Sequence, residues 1–203
     1  MERIKIDDPY KPNRETINHI VKVIDDGGIV AFPSDTVFGL MAKVGIAEIA
    51  HVNTIKNRQS NKNYALILNN IKNSLKLFDL DKITYNFINQ HTPGLFTFIV
   101  KPGKILNNNI HLLLSDEGKI GIRVPESDLM RQVASKFLLF ATSANLSGQP
   151  SVYTVSELKK QIDINLIDLV VDYNLNSRTL ASTVIDISGD KPTILRQGSG
   201  ILN

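Results

Sequence analysis

The chain has 203 residues, of which 42% are apolar and 21% charged, enough to bury one substantial hydrophobic core but short for two full-sized domains. Its 23 Lys and Arg against 20 Asp and Glu leave a net charge of +3, which argues against a polycationic tail-type protein. Cysteine is absent, so disulfides, thiolate nucleophiles and cysteine-ligated metals are excluded. We therefore expect a single domain over residues 1–203, in which any anionic partner meets a local basic cluster.

The N-terminal segment MERIKIDDPY is charged and lacks the apolar region of a secretory signal. The longest apolar runs, such as residues 137–141, are about one strand long, whereas a membrane-spanning helix needs roughly 20 residues. We expect a cytoplasmic protein without membrane contact, which fits the absence of cysteine.

The first half of the chain alternates helical and strand-like segments. Apolar residues at helical spacing from Ile17 to Ile24 predict an amphipathic helix that stops at Gly27 and Gly28. Residues 29–32 read as a buried strand that delivers the polar segment PSDT to its exit loop. Further helices are predicted at 46–55, 71–78 and 82–90, and further strands at 64–68 and 96–101.

The second half continues the alternation. The stretch 104–117 is ambiguous and reads mostly as loop. A strand at 120–124 holds Arg123, and Ser127 is the predicted N-cap of a helical face over 129–137. The strand at 138–142 delivers the turn SANLSG. The remaining elements are a helix near 155–161 and strands at 167–171, 183–187 and 193–196.

This alternation, without internal repeats or linker-like segments, predicts a mixed α/β sheet with helices packed on it. In such sheets ligands bind beyond the strand ends, where loops converge. Polar loops adjoin several predicted element ends: PSDT, KNRQSNK, TSANLSG and RQGSG. We therefore expect the functional site among these loops.

Common signatures of other functions are missing from the sequence. It contains no GxxxxGK[ST] segment, no GxSxG segment and no glycosidase-like carboxylate pair, and Gly198 and Gly200 fall after the last strand. No metal site is predicted, because the histidines are far apart and none has a second ligand at metal-binding spacing. These histidines are His19, His51, His91 and His111.

A cluster of three cations and one isolated arginine each allow two interpretations. Lys56, Arg58 and Lys62 could bind a polyphosphate, but taken alone they are more typical of a solvated basic helix end. Arg123 lies in the apolar strand IGIRV, so it needs an anionic partner. That partner is either an Asp or Glu of the chain or a ligand carboxylate.

Ser143, Asn145 and Ser147 present hydroxyl and amide groups on a glycine-ended turn. Such residues more commonly cap a helix or form an Asx-type turn. Their combination with PSDTVFG, KNR and a strand-borne arginine, in this order, favours a ligand site instead.

This combination resembles the YrdC/TsaC family of threonylcarbamoyl-AMP synthases over about residues 15–198. The segments that carry the resemblance are GGIVAFPSDTVFGL, IKNR, HTPGLFTFIV, KIGIRVP, ATSANLSG, STVIDI and ILRQG. The resemblance implies a twisted mixed α/β sheet flanked by helices, with a deep basic cavity. It also implies a nucleotidyltransferase that converts L-threonine, bicarbonate or CO2, and ATP into threonylcarbamoyl-AMP and pyrophosphate, the first step of tRNA N6-threonylcarbamoyladenosine (t6A37) modification.

The resemblance also assigns roles to residues. Lys56 and Arg58 would be catalytic, and Thr36 and Arg123 would bind L-threonine. It implies that ATP enters with Mg2+, that no prosthetic group is tightly bound, and that the product passes to a tRNA threonylcarbamoyl transferase complex. The nucleotide-binding residues would be Lys56, Arg58, Lys62, Ser143, Asn145, Ser151 and Arg196.

The sequence departs from the family pattern at several positions. Ser34 and Asp35 stand in place of Thr and Glu, Gln59 in place of Pro, and Met41 in place of a common Gly. These changes bear on the loop after Arg58 more than on the chemistry. The chain resembles the short form of the family, without the additional C-terminal domain.

Two other functions remain open at this point. A double-stranded RNA-binding or ribosome-assembly factor could use the same basic concave surface, although +3 is a small net charge and aromatic residues make up only 6%. A paralogue could have lost the reaction or transfer carbamoyl groups elsewhere, but the intact SAN turn speaks against loss.

Overall fold

The computed structural model describes residues 1–58, 64–104, 106, 114, 118–173, 175, 178–189 and 191–202. Within them one ten-stranded sheet runs through the molecule. Its strands are β1 (Glu2–Lys5), β2 (Val30–Pro33), β3 (Phe38–Lys43), β4 (Ala65–Ile67), β5 (Phe96–Val100), β6 (Ile120–Arg123), β7 (Leu139–Ser143), β8 (Leu169–Asp172), β9 (Thr183–Asp186) and β10 (Thr193–Arg196). The described helices are α1 (Arg14–Asp25), α2 (Ile46–Ile55), α3 (Ile71–Ser74), α4 (Lys82–Gln90), α5 (Asp128–Ala134) and α6 (Val155–Gln161), with short 3-10 turns at Leu75–Leu77 and Ile164–Leu166.

The spatial order of the strands is β1-β8-β2-β3-β7-β4-β6-β5-β9-β10. The sheet contains parallel pairs (β1 with β8, β8 with β2, β4 with β6, β5 with β9) and antiparallel pairs (β2 with β3, β3 with β7, β7 with β4, β6 with β5, β9 with β10). The predicted mixed sheet flanked by helices is confirmed.

The apolar residues that predict helix α1 form the face by which it packs on the sheet. Its buried residues are Ile17, Ile20 and Ile24, and the Asn13 side chain accepts the backbone N–H of Thr16 at the N-terminus. This cap satisfies an N–H that has no partner within the helix. The apolar stripe then packs on β2 and β3 beside α5.

The two faces of the sheet are covered unequally. One face packs against apolar residues of α2, α3, α4 and α6 in the larger core cluster. The opposite face is covered by α1 and α5 over part of its width. Because side chains alternate along a strand, Phe98 and Ile122 enter the large core, whereas Thr97, Ile99 and Arg123 point to the opposite face, at a cavity.

Two strands were not predicted from the sequence. The pattern FGLMAK of β3 is buried almost throughout and therefore lacks an alternation of polar and apolar residues. The pattern ERIK of β1 is a short edge strand dominated by charged residues. The other predicted strands agree with the structure to within two residues at each end.

Two further outcomes concern helices and loops. The predicted Ser127 cap is confirmed, because its hydroxyl accepts the N–H of Met130. The predicted loop over 104–117 lies mostly outside the described residues. In the part of the chain that the structure describes, every helix is too short or too polar to cross a bilayer.

Candidate functional site

A cavity of about 300 Å³ lies on the partly covered face of the sheet, over β4, β5, β6, β7 and β9. Small residues on neighbouring strands make the room: Ala65, Gly121 and Ala141 lie side by side in β4, β6 and β7. Gly39 contributes as well, because a Cβ there would come within 2.7 Å of the Phe32 ring. The volume lies at the small end of the range typical of small-molecule sites, roughly 300–1,000 Å³.

The charged residues of the cavity wall are mostly cations. Lys119, Arg123 and Arg196 line it, and Asp186 is the acidic residue among the described lining residues. A concave surface with excess positive charge attracts anions, since low-dielectric walls focus the field. The cavity therefore suits an anionic ligand.

Arg123 is held by an internal partner. Its Nη2 donates to Asp35 Oδ1 over 2.9 Å, and its Nη1 donates to Thr36 Oγ1 over 3.2 Å. Asp35 also accepts the N–H of Glu126 over 2.9 Å. Of the two partners that the sequence left open, the structure provides the carboxylate of the chain. The buried Nε of Arg123 has no hydrogen-bond partner among the described residues.

The turn after β2 is fixed by its own hydroxyl groups. Ser34 Oγ accepts the N–H groups of Thr36 and Val37, each over 3.1 Å, and donates to the Val37 carbonyl over 2.6 Å. The Thr36 carbonyl accepts from Thr179 Oγ1 over 2.8 Å. These bonds place the Thr36 hydroxyl beside Arg123 on the cavity wall.

Lys56 is buried, with only 3% of its surface exposed. Its ammonium group donates to the main-chain carbonyls of Ser143 and Asn145. Lys56 is not among the residues that line the cavity. Its contacts hold the SAN turn in place, because they bind the backbone on both sides of Ala144.

Arg58 does not line the cavity but contacts Tyr64, which does. Its Nε donates to Asn53 Oδ1 over 2.9 Å, and its guanidinium stands 4.4 Å from the centroid of the Tyr64 ring. Burial raises the pKa of Tyr64, and the cation of Arg58 partly offsets this effect. The buried Nη2 of Arg58 has no hydrogen-bond partner in the described part of the chain.

The remaining predicted site residues divide between the wall and the turn. Ser143 lines the cavity. The Asn145 amide donates to the carbonyls of Leu146 and Gln149 over 2.9 and 2.7 Å, which is the turn-forming use of such residues. Ser151 does not line the cavity, and Lys62 lies outside the described residues.

Arg196 joins the wall from β10. Its Nε and Nη2 donate to the Ser182 carbonyl over 3.2 and 2.8 Å. Burial and the nearby positive charge of Arg123 lower the pKa of Arg196. The structure thus brings Thr36, Arg123, Ser143 and Arg196 to one cavity, whereas Lys56, Arg58 and Asn145 lie outside its lining.

The sequence reasoning missed polar groups on the wall. Lys119 Nζ lies 2.8 Å from Asp186 Oδ2, and the hydroxyls of Thr97 and Ser182 lie 2.8 Å apart. Period-two alternation could have found Lys119, because it directly precedes β6 and stands four residues before Arg123, an even spacing that predicts the same face of the sheet. For metal ions, the described residues bring no three His, Asp or Glu side chains together.

Comparison with known sequences identifies relatives over most of the chain. The family model Sua5/YciO/YrdC, described as "Telomere recombination", matches residues 22–198. A "Putative threonylcarbamoyl-AMP synthase" of Methanocaldococcus jannaschii is 29% identical over 91% of this chain and 86% of its own length. The Escherichia coli K12 protein named "Uncharacterized protein YciO" is 25% identical over 95% of this chain and 93% of its own length.

Solved structures share the fold. The crystal structure of E. coli YciO superposes with a TM-score of 0.84 at 24% identity and covers 98% of this chain and 96% of its own. P. abyssi Sua5 complexed with L-threonine superposes with a TM-score of 0.83 at 20% identity over 97% of this chain. This chain spans 57% of that Sua5 chain.

Proposed function

The chain belongs to the Sua5/YciO/YrdC family, and from this premise we propose that it is an L-threonylcarbamoyladenylate synthase, a nucleotidyltransferase. In the proposed reaction the amine of L-threonine captures CO2, or bicarbonate with loss of water, and becomes a carbamate. A carbamate oxygen then attacks the α-phosphorus of ATP and the bond to the β,γ-phosphates breaks. The products are threonylcarbamoyl-AMP and pyrophosphate.

The chemistry requires cations, because the carbamate and the triphosphate repel each other. A preorganised positive site lowers this repulsion and stabilises the charge that develops on the departing pyrophosphate. Holding both anions in one small cavity also removes the entropic cost of their encounter.

The convergence of Arg123, Thr36 and Arg196 on one cavity is the observation that carries the proposal. In the proposed complex, Arg123 binds the threonine carboxylate with the N–H groups that Asp35 and Thr36 leave available, while the Thr36 hydroxyl contacts the amino acid. Arg196 binds nucleotide phosphate. A guanidinium suits both tasks, since it presents several N–H donors in a planar fork.

The resemblance to the family also implies roles for the turn at residues 143–145 (SAN) and the segment at residues 56–58 (KNR). Ser143 contacts the nucleotide from the cavity wall, and Asn145 and Ser151 bind the part of the nucleotide that extends beyond the cavity lining. Lys56 and Arg58 serve catalysis, Lys56 through the turn carbonyls that it binds and Arg58 beside Tyr64. Lys62, which lies outside the described residues, contributes a further cation to nucleotide binding, as the resemblance to the family implies.

The proposal also covers the metal ion, the third substrate, the cellular location and the use of the product. Mg2+ enters as the complex with ATP and belongs to the substrate, and bicarbonate or CO2 is the third substrate. We place the single domain in the cytoplasm, where its product passes to a tRNA threonylcarbamoyl transferase complex for t6A37 synthesis.

Pyrophosphate release tests the proposal. Purified protein with ATP, Mg2+, L-threonine and bicarbonate should release pyrophosphate and form a product with the mass of threonylcarbamoyl-AMP. Omission of any one substrate should abolish both signals. The exposed Lys159→Gln variant should match the wild type, whereas Arg196→Gln should lose most of the activity.

Two results would contradict this function. One is pyrophosphate release that does not depend on L-threonine. The other is salt-sensitive binding of double-stranded RNA without ATP turnover, retained after Ser143→Ala and Asn145→Ala, since that outcome would assign the basic concavity to a nucleic-acid backbone instead.

A further inference from the structure

Thr179 has no role in the reaction described above, yet its hydroxyl contacts the turn that carries Thr36. It donates to the main-chain carbonyl of Thr36 over 2.8 Å and so joins two segments 143 residues apart. Thr179 belongs to residues 178–182, the strap, which lead directly into β9. Ala181 and Ser182 of the strap line the cavity, whereas Thr179 does not. Thr179 is therefore placed to act on the site through Thr36 and not through the ligand.

The main chain of the strap is fixed along its length. All four carbonyl groups from 179 to 182 accept a hydrogen bond from another part of the chain. The bonds run from Tyr153 Oη to Thr179 over 2.7 Å, from Ser199 Oγ to Leu180 over 2.6 Å, from Ser199 N to Ala181 over 3.0 Å, and from Arg196 Nη2 to Ser182 over 2.8 Å. The hydroxyl of Thr179 is thus carried by a rigid support.

Tyr153, which holds the Thr179 carbonyl, is itself anchored by the start of α6. Its N–H donates to Glu157 Oε2 over 2.8 Å, and Glu157 lies in the first turn of α6. The other oxygen of Glu157 accepts from Arg178, whose guanidinium stands 5.2 Å from the centroid of the Tyr153 ring. Helix α6 therefore fixes the beginning of the strap on both sides of the Tyr153 ring.

The receiving end of the contact is a hydroxyl that needs an exact position. Thr36 is only 2% exposed, and its Oγ1 accepts from Arg123 Nη1 over 3.2 Å. Ser34 directs its own hydroxyl proton at the Val37 carbonyl over 2.6 Å. The proton of Thr36 Oγ1 is therefore left for Ser34 Oγ, 3.1 Å away, or for a ligand in the cavity.

We propose that Thr179 is a positioning residue of the L-threonine site, which acts through the Thr36 carbonyl to fix the Thr36 hydroxyl beside Arg123. The proposal rests on the proposed function for the identity of the ligand. A binding group held by a second contact loses no further freedom when the ligand arrives, so the affinity depends on that contact. The bond from Thr179 ties the turn after β2 to the strap, and the strap in turn to α6.

Calorimetric binding of L-threonine, together with steady-state kinetics, tests this assignment. Thr179→Val keeps the shape of the side chain but removes its hydroxyl, and it should weaken L-threonine binding and raise the KM for L-threonine about fivefold. The KM for ATP and the kcat at saturating L-threonine should each change less than about twofold. Thr179→Ser keeps the hydroxyl and should remain within about twofold of the wild type in every value.

A double-mutant cycle tests whether the effect passes through Thr36. Thr36→Val removes the hydroxyl that Thr179 is proposed to position. In that background Thr179→Val should weaken L-threonine binding less than about twofold, against about fivefold in the wild type, because the two residues act as one unit. Effects that simply add would overturn the proposal.

A purely structural contact predicts a different pattern. Thr179→Val would then lower thermal stability and leave L-threonine binding unchanged, or raise both KM values equally, and either result would overturn the proposal. Thr179→Ser as weak as Thr179→Val, or wild-type protein that binds no L-threonine, would overturn it as well. Thr84→Val removes a threonine hydroxyl from α4, on the opposite face of the sheet, and is the control that should leave L-threonine binding unchanged.

The two proposals can fail separately. Threonine-dependent synthesis in the wild type, with L-threonine binding insensitive to Thr179→Val, would reject only the role of Thr179. L-threonine binding that depends on Thr179 in a protein that releases no pyrophosphate would reject only the synthase.

Discussion

The guanidinium of Arg123 donates to Asp35 Oδ1 over 2.9 Å, although the Asp35 side chain is fully buried and that of Arg123 only 10% exposed. The pair joins the end of β6 to the turn after β2, two segments separated by 88 residues along the chain. In this low-dielectric setting the folded protein needs both charges of the pair, because a buried ion without a partner costs far more free energy than a solvated one.

Asp35→Ala should therefore destabilise the fold. Removal of one partner of a buried pair lowers the free energy of unfolding by about 3–5 kcal/mol, since the remaining charge is left without compensation. Urea unfolding followed by circular dichroism measures the change. Asp7→Ala removes an exposed carboxylate and is the control, and an equal small effect of both variants would show that the pair is not important for stability.

Arg123→Lys should separate the two substrates. An ammonium group keeps the charge but cannot satisfy Asp35, Thr36 and a carboxylate with a planar fork. The KM for L-threonine should rise about tenfold, while the KM for ATP should change less than about threefold. Steady-state kinetics with each substrate varied in turn provides the test, and equal effects on both KM values would contradict the threonine role.

Lys56→Met should affect stability and activity together. The substitution keeps much of the side-chain volume but leaves the Ser143 and Asn145 carbonyls without their donor in a buried site. We expect the free energy of unfolding to fall by about 2–4 kcal/mol, together with synthase activity. Lys159→Met, at an exposed position of α6, should change neither. A Lys56→Met protein with wild-type stability would show that the contacts to the turn are dispensable.

Arg58→Ala should reduce catalysis more than stability. Arg58 is only partly buried, and its contacts in the structure are with Asn53 and the Tyr64 ring. Loss of its charge should lower kcat/KM on the order of 100-fold, because charge stabilisation in the transition state is lost. Unfolding of the variant in urea at a much lower midpoint, with kcat/KM retained, would instead assign Arg58 a structural role.

Tyr64 should make stability sensitive to alkaline pH. Burial raises the pKa of the Tyr64 hydroxyl above its ordinary value, so the folded protein holds this proton more tightly than the unfolded chain. The associated stability is complete below the unfolded value and is lost as pH rises through the folded one. Tyr64→Phe should therefore flatten the alkaline limb of an unfolding curve measured against pH. Tyr85→Phe is the comparison, and a limb as steep in Tyr64→Phe as in that variant would count against the effect.

The sequence predicted those parts of the molecule that follow from local patterns. Helix α2 was predicted with its observed bounds, because its apolar residues recur at helical spacing. The family and the fold class were confirmed as well. Strand β3 was missed since burial on both faces removes the periodicity on which a prediction depends.

The candidate site was harder to predict, because its contacts join distant segments. The sequence showed that Arg123 required an anion but could not identify Asp35, which lies in the polar loop assigned to ligand binding. It also placed Lys56 among the phosphate contacts, whereas side-chain burial directs its ammonium to the SAN turn. The contact between Lys119, next to β6, and Asp186 of β9 reaches across β5 and depends on strand order, which local periodicity does not encode.

The strand order also has a consequence for synthesis on the ribosome. Strands β5 and β6 lie near the middle of the chain, whereas β9, which pairs with β5, and β10, which pairs with β9, emerge after the other described strands and bring Asp186 and Arg196. A nascent chain that has extruded only β1 to β7 has an open edge at β5 and an incomplete pocket. Substrate capture must therefore await the emergence of β9 and β10, and a chain cut before β9 would present the open edge of β5 to chaperones.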